Sequence, residues 1–248
     1  MALAKTDKKL RNAVSLAIFD LDNTLIAGDS DYLWGEFLVS KGLVDGEHYR
    51  RENERYYQAY KRAELDIFAF LRFSLAPLAR IPMDQLYRLR EEFIDHHIRG
   101  LMLPKASALI EQHRQQQHRL LIITATNRFV TEPIAALLNI GALLASEPAL
   151  HDGKYTGEVA GIPCYKDGKV RRLKLWLQTQ KLLAADESRE LDAALLKSAV
   201  GESWFYSDSQ NDAALLELVD HAVAVDPDPT LQALAQQNHW PIISLRQD

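Results

Sequence analysis

The chain has 248 residues, with 29 Lys and Arg against 34 Asp and Glu, a net charge of −5, 47% hydrophobic and 25% charged residues. Those proportions exclude disordered, collagen-like and supercharged classes, and the length admits one large domain or a core with a smaller addition. Mixed charges of net negative sign argue against coating nucleic acid or an anionic membrane, so neither is expected as a partner and any anionic substrate must be attracted locally.

The N-terminal MALAKTDKKLRNA is followed by the apolar stretch Ala13–Phe19, which Ser15 interrupts and Asp20 stops, too short for a signal peptide or a spanning helix. No lipidation signal stands at either end. The single cysteine, Cys164, excludes an intramolecular disulfide and a structural zinc site. A reducing cytoplasm is the expected location.

In chain order, VSLAIF at 14–19 reads as a buried strand ending at Asp20. Residues 28–100 instead show helical periodicity, with Leu86, Leu89 and Phe93 at i, i+3, i+7, and an aromatic concentration from Tyr32 to Phe73. Pro104 suits the first turn of a helix reaching about Gln116, LLIIT at 120–124 is the next strand, and Pro133 falls early in the following helix. ALLAS at 142–146 is a third strand, and Asp152-Gly153 signals a two-residue hairpin. Asp167-Gly168-Lys169 reads as a turn before an amphipathic helix, and SWFYS at 203–207 and AVAV at 222–225 are the last strands. Continuous apolar strands alternating with helices predict a doubly wound parallel α/β sheet, and 28–100 a helical insertion.

The first strand delivers Asp20 and Asp22, which share a face at its carboxyl end, where open α/β sheets bind ligands. Two like charges there need a cation. The strand SWFYS likewise ends in Ser207-Asp208-Ser209-Gln210-Asn211-Asp212, and the combined oxygen-rich cluster suits Mg²⁺, while neither segment offers the His or Cys of a zinc site. Thr124-Ala125-Thr126-Asn127, at the end of LLIIT, can present a hydroxyl and helix N-terminal N–H groups to an anion, and Lys169 supplies positive charge. Taken singly, these are ordinary strand-end, capping and solvated residues. Their order makes the set informative.

That order, DLDNT at 20–24, Thr124, Lys169, then SDSQND at 207–212, resembles the haloacid dehalogenase superfamily of phosphohydrolases over nearly the whole chain. The resemblance implies a Rossmann-like core at 1–27 and 101–248 and a helical cap at 28–100, as in the phosphoserine phosphatase branch. It implies that Asp20 attacks phosphorus and that Asp22 serves as general acid and then base. Asp20, Asp208 and a carbonyl of Asp22 would hold Mg²⁺, with Asp212 in its outer sphere or bridging to Lys169 and Asn211 beside it. Thr124 and Lys169 would bind the phosphoryl oxygens.

Asp29 stands where phosphoserine phosphatases carry an amine-binding Glu, and alternatively caps a helix starting at Ser30 or Asp31. Asn127 is a further candidate for substrate contact, and Arg72 or Arg62 for a substrate carboxylate. The expected substrate is a small phosphorylated amino alcohol or amino acid, histidinol phosphate ahead of phosphoserine. The aromatics Tyr32, Trp34, Tyr56, Tyr57, Tyr60, Phe68, Phe70 and Phe73 read mainly as cap core, with room for one that stacks on an imidazole. A phosphotransferase of the same family, a phospho-receiver and a binding module are the competing readings. Apart from Lys169, the basic run Lys169, Arg171, Arg172, Lys174 reads as a solvated helix face, and the oligomeric state is left open.

Overall fold

The computed structural model describes residues 14–246. The MALAKTDKKLRNA reading and the start of the core at residue 1 fall outside the described residues. At the centre of the sheet lies β1 (Leu16–Phe19), buried along its whole length. It runs parallel between β2 (Arg119–Asn127) and β5 (Ser203–Ser207), with Phe19 opposite Ile122 on one side and Tyr206 on the other. A strand paired on both edges and covered on both faces needs a continuous apolar run, which LAIF provides.

Beyond β2 lie β3 (Leu143–His151) and then β4 (Lys154–Ala160), antiparallel to β3. Beyond β5 lie β6 (His221–Val225) and β7 (Ile242–Ile243), completing the order β4-β3-β2-β1-β5-β6-β7. Asp152 and Gly153, both at positive φ (48° and 73°), form the β3–β4 turn, as a primed hairpin turn requires. The third strand is longer than ALLAS because this hairpin extends it.

The insertion after β1 carries four α-helices, α1 (Ser30–Ser40), α2 (Gly46–Lys61), α3 (Ile67–Arg80) and α4 (Met83–Phe93). Asp29, Asp45 and Asp66 cap the first three by accepting backbone N–H groups. On α4, Leu86, Leu89 and Phe93 form the buried stripe expected from their spacing. The remaining helices are α5 (Pro104–Gln115), α6 (Arg128–Leu137), α7 (Asp167–Thr179), α8 (Ala193–Ala199), α9 (Ala213–Leu216) and α10 (Pro229–Gln237).

Strand alternation divides the core into two layers. Ala17 and Phe19 face a cluster with Trp34, Leu71, Phe93, Ile110 and Phe129, so the inserted helices share their apolar core with α5 and α6. Leu16 and Ile18 face the opposite way, toward Leu173 and Leu177 of α7 and Leu196 of α8. Pro133 lies beyond the first turn of α6 rather than early in it. Its missing N–H leaves the Phe129 carbonyl free, and Arg90 of α4 donates to that oxygen at 3.1 Å, which compensates the interior proline.

On α5, His113 is buried against the rings of Phe19 and Tyr206, its Nε2 2.8 Å from the Tyr206 hydroxyl and its Nδ1 2.8 Å from His118. Burial, and then His118, push its pKa down from 6.5 to about 4. The unfolded chain therefore binds a proton that the folded chain refuses, so stability falls as the pH drops from about 6.5 toward about 4. Urea midpoints at about pH 7.5 and about pH 5 check this: the wild type loses stability on acidification, and a His113→Gln variant shows a shallower slope. Among the described residues, no helix is long and apolar enough to cross a membrane.

Candidate active site

The adjacency of β2, β1 and β5 brings three strand ends to one edge of the sheet. Asp20 directly follows β1, and its backbone N–H donates to Tyr206 O at 2.9 Å. Asp208 directly follows β5, and Thr124 lies within β2, which runs on to Asn127 rather than ending at Thr124. Residues far apart in the chain thus meet because the parallel register aligns the carboxyl ends of their strands.

Lys169 is in the first turn of α7 rather than in a preceding turn, and it is not solvated: it is 2% exposed. Its ammonium donates to Asp20 Oδ1 at 2.8 Å and to Asp212 Oδ2 at 2.7 Å. Asp212 Oδ2 also accepts from the Ser207 hydroxyl at 2.7 Å. The neighbouring position must be glycine: a Cβ on Gly168 would stand 2.1 Å from the Pro163 carbonyl oxygen, so any side chain would lift the start of α7 and Lys169 with it. The basic run departs from the solvated face expected of it at Arg172, which joins Arg128 in holding Glu147 of β3 at 2.9 and 2.7 Å.

Asp22 is held from three sides. Its Oδ1 accepts from the Ser30 N–H at 2.6 Å, and its Oδ2 from Thr126 Oγ1 at 2.9 Å and Thr124 Oγ1 at 3.3 Å. The Thr124 hydroxyl therefore points at Asp22 and also accepts the Thr126 N–H at 3.2 Å. The contact of Thr126 with Asp22 adds a residue to the expected set. The i, i+2 argument that pairs Asp20 with Asp22 also places Thr126 on the face of Thr124. Thr24 is a second such contact: its hydroxyl donates to Asp208 Oδ1 at 3.1 Å and accepts the Asp208 N–H at 3.1 Å.

Asn211 is buried and faces the inserted helices rather than the carboxylates, accepting from the Tyr165 hydroxyl at 2.9 Å and donating to Tyr60 O at 3.1 Å. Asn127 is likewise occupied by structure: its Oδ1 caps α6 at the Val130 N–H and its Nδ2 donates to Asp31 at 3.2 Å. Arg72 does not reach the site. It lies on the exposed side of α3, whose buried face is Leu71, Ser74, Leu75 and Leu78. Arg62 is also exposed and pairs with Glu64.

A small cavity with about 50 Å³ of water-accessible space opens beside Asp20 and Asp22 between the sheet and the inserted helices. Asp29 lines it and also caps α1, accepting the N–H groups of Asp31 and Tyr32 at 3.0 and 2.9 Å, so the capping reading holds while the side chain still borders the cavity. Tyr32, Tyr56, Tyr57, Tyr60 and Phe70 form much of the wall, a larger share of the aromatics than a cap core accounts for. No Lys or Arg is among the lining residues.

The electrostatics are those of a cation-deficient cluster. Burial pushes the Asp20 carboxyl up to about 7, with Lys169 lowering it and Asp212 raising it. Asp208 is raised well above the ordinary range by burial, then by Asp20 and Asp212. Burial would lower the Lys169 ammonium, but Asp20 and Asp212 overturn this and hold it above its ordinary value. Among the described residues no group of three or more His, Cys, Asp or Glu side chains is assembled for a metal. The expected Mg²⁺ set asks for only two carboxylates, Asp20 and Asp208, with a main-chain carbonyl. Those hard oxygen donors with excess negative charge fit a small divalent cation.

The model of the haloacid dehalogenase-like hydrolase family matches residues 17–217. A histidinol-phosphatase from Neisseria meningitidis serogroup C is 39% identical over 233 residues, 94% of this chain and 99% of that protein. The phosphoserine phosphatase SerB1 of Mycobacterium tuberculosis is 28% identical over 93% of this chain and 70% of its own length. A crystal structure of a protein of unknown function from Bordetella pertussis aligns with TM-score 0.83 and 36% identity over 95% of this chain and all of that one. A phospho-aspartyl intermediate analogue of phosphoserine phosphatase aligns over 96% of each chain with TM-score 0.64 and 15% identity, a likeness of fold.

Proposed function

Since the chain belongs to the haloacid dehalogenase-like hydrolases, we propose that it is a Mg²⁺-dependent phosphatase acting through phospho-Asp20, with histidinol phosphate as its first-ranked substrate and phosphoserine its second. The observation that carries the substrate ranking is the cavity wall, which presents Asp29 and Asp31 and no Lys or Arg. A phosphorylated amino alcohol brings an ammonium to Asp29 in this acidic wall. Phosphoserine also brings a carboxylate, which would meet negative charge with no cationic side chain to receive it. The Neisseria relative's name supports the same order.

In this reading an Asp20 oxygen forms a bond to phosphorus as the ester P–O bond breaks. Asp22, fixed by Ser30, Thr124 and Thr126, gives its proton to the leaving alkoxide and then takes one from the water that cleaves phospho-Asp20. Lys169 orients Asp20 and offers positive charge to the transferring oxygens. Bound Mg²⁺, held by Asp20, Asp208 and the Asp22 carbonyl, would supply neutralisation of phosphate charge.

Residues 28–100 act as the cap. The end of α2 is tied to the core by Asn211 to Tyr60 O, Gln210 to Lys61 O at 2.9 Å and Lys166 to Ala63 O at 2.7 Å, bonds that a movement of this end away from the core would break. Cys164 is buried and its thiol is pushed up to about 12 by that burial, which suits a packing role in a reducing cytoplasm.

Steady-state kinetics with Mg²⁺ test the ranking. The kcat/KM for histidinol phosphate should exceed that for phosphoserine by at least about tenfold, the effect of one mismatched charge of roughly 1.4 kcal/mol, and EDTA should remove both activities. Equally weak rates on the two esters would overturn it.

A further inference from the structure

Asp31, in the first turn of α1, is 7% exposed and lines the cavity. Its Oδ1 accepts from Asn127 Nδ2, but its Oδ2 has no hydrogen-bond partner in the protein. A buried carboxylate oxygen left unpaired is costly, and a structural link to Asn127 needs only one oxygen. The neighbouring acid shows the same division: Asp29 receives both of its N–H bonds on Oδ1. Two acids, two residues apart, therefore each tie down one oxygen and line a cavity without a cationic side chain, between apolar and aromatic walls that include Leu65, Ile67, Tyr56 and Phe70.

We propose that Asp31 accepts a hydrogen bond from a second basic nitrogen of the substrate, distinct from the amine assigned to Asp29, so that the site selects phosphate esters of small alcohols carrying two separated N–H groups. This deepens the phosphatase reading above and rests on it. An acid in the first turn of a helix gains from the helix dipole, yet that benefit is available at the surface and does not account for a buried, half-paired side chain. The burial of Asp31, followed by the charges of Asp29 and Asp22, holds its carboxyl well above the ordinary range. An Asn would bond Asn127 as well and avoid this repulsion, so folding alone gives no reason for the acid. The aromatic walls add a second selection, for a flat ring as the carrier of the second nitrogen.

The test is a calorimetric titration of the dephosphorylated alcohols into the intact protein, using histidinol, with two basic nitrogen groups, and 2-aminoethanol, with one. In the wild type histidinol should bind at least about tenfold tighter than 2-aminoethanol. In Asp31→Asn that ratio should fall at least about fivefold, the remainder coming from the aromatic walls, with a melting temperature at or above wild type because a like-charge contact is gone. Asp31→Ser should shrink the ratio in the same way. A ratio retained in either variant would overturn the proposal, and so would failure of Asp31→Asn to fold, since the carboxylate would then be structural. The two readings fail separately. If histidinol discrimination depends on Asp31 but histidinol phosphate is not hydrolysed, the phosphatase assignment falls and the subsite stands. If hydrolysis proceeds but the ratio ignores Asp31, the subsite falls alone.

Discussion

Asp20→Asn should reduce phosphatase turnover by at least about 10⁴-fold while leaving the protein folded, because an amide cannot take the place of the attacking carboxylate. The fold tolerates the change for a specific reason. The Asp20 side chain sits in an environment that already disfavours its charge, its carboxyl being pushed up to about 7 chiefly by burial. An Asn oxygen can still accept from Lys169, and Asp212 continues to pair that ammonium at 2.7 Å. Melting temperature and steady-state rate measured on one preparation check both halves, and a variant near the wild-type rate would remove Asp20 from the role of nucleophile.

Lys169→Met should cost both activity and stability. Lys169 is bonded to two carboxylates that are themselves almost fully buried, at 4% and 2% exposure for Asp20 and Asp212. Removing one member of such a group leaves uncompensated buried charge, which costs roughly 3–5 kcal/mol, and turnover should fall about 10²–10³-fold with the loss of a positioned donor. The loss of stability should depend on pH. Without the ammonium that lowers it, the Asp20 carboxyl rises further above 3.8, so the folded variant binds a proton that the unfolded chain releases. The variant is therefore closest to wild type in mild acid and falls away as the pH rises. Denaturant titrations at two pH values check the sign, and a destabilisation that grows toward acid would contradict it.

The sheet was legible because its strands carry their own signal. SWFYS occupies β5 residue for residue, and LAIF lies within the first apolar run, since strands buried on both faces cannot afford polar interruptions. The Asp152-Gly153 hairpin was legible from two residues because few types accept positive φ at both turn positions. The ordering of DLDNT, Thr124, Lys169 and SDSQND carried the family, and Asp20, Lys169 and Asp212 do meet.

What stayed hidden depends on the rotational phase of a helix and on contacts across the chain. Nothing local tells Arg72 that its face of α3 turns to solvent while Leu71 turns inward. Asn127 has the composition of a ligand-binding residue and the surroundings of a cap, because Asp31, 96 residues earlier, takes its free amide. Arg172 lies in a basic run but is drawn in by Glu147, whose position only the sheet defines. The unpaired oxygen of Asp31 is likewise a property of packing, and one-dimensional patterning has no means of displaying it.

The claim on which the rest depends is that phosphate passes through Asp20. Rapid-quench mass spectrometry of the protein mixed with histidinol phosphate and Mg²⁺ tests it most directly. A phosphoryl adduct on the peptide containing Asp20 should form and decay at rates that support turnover. Release of phosphate with no adduct on that peptide, or an adduct there that persists without releasing phosphate, would contradict it.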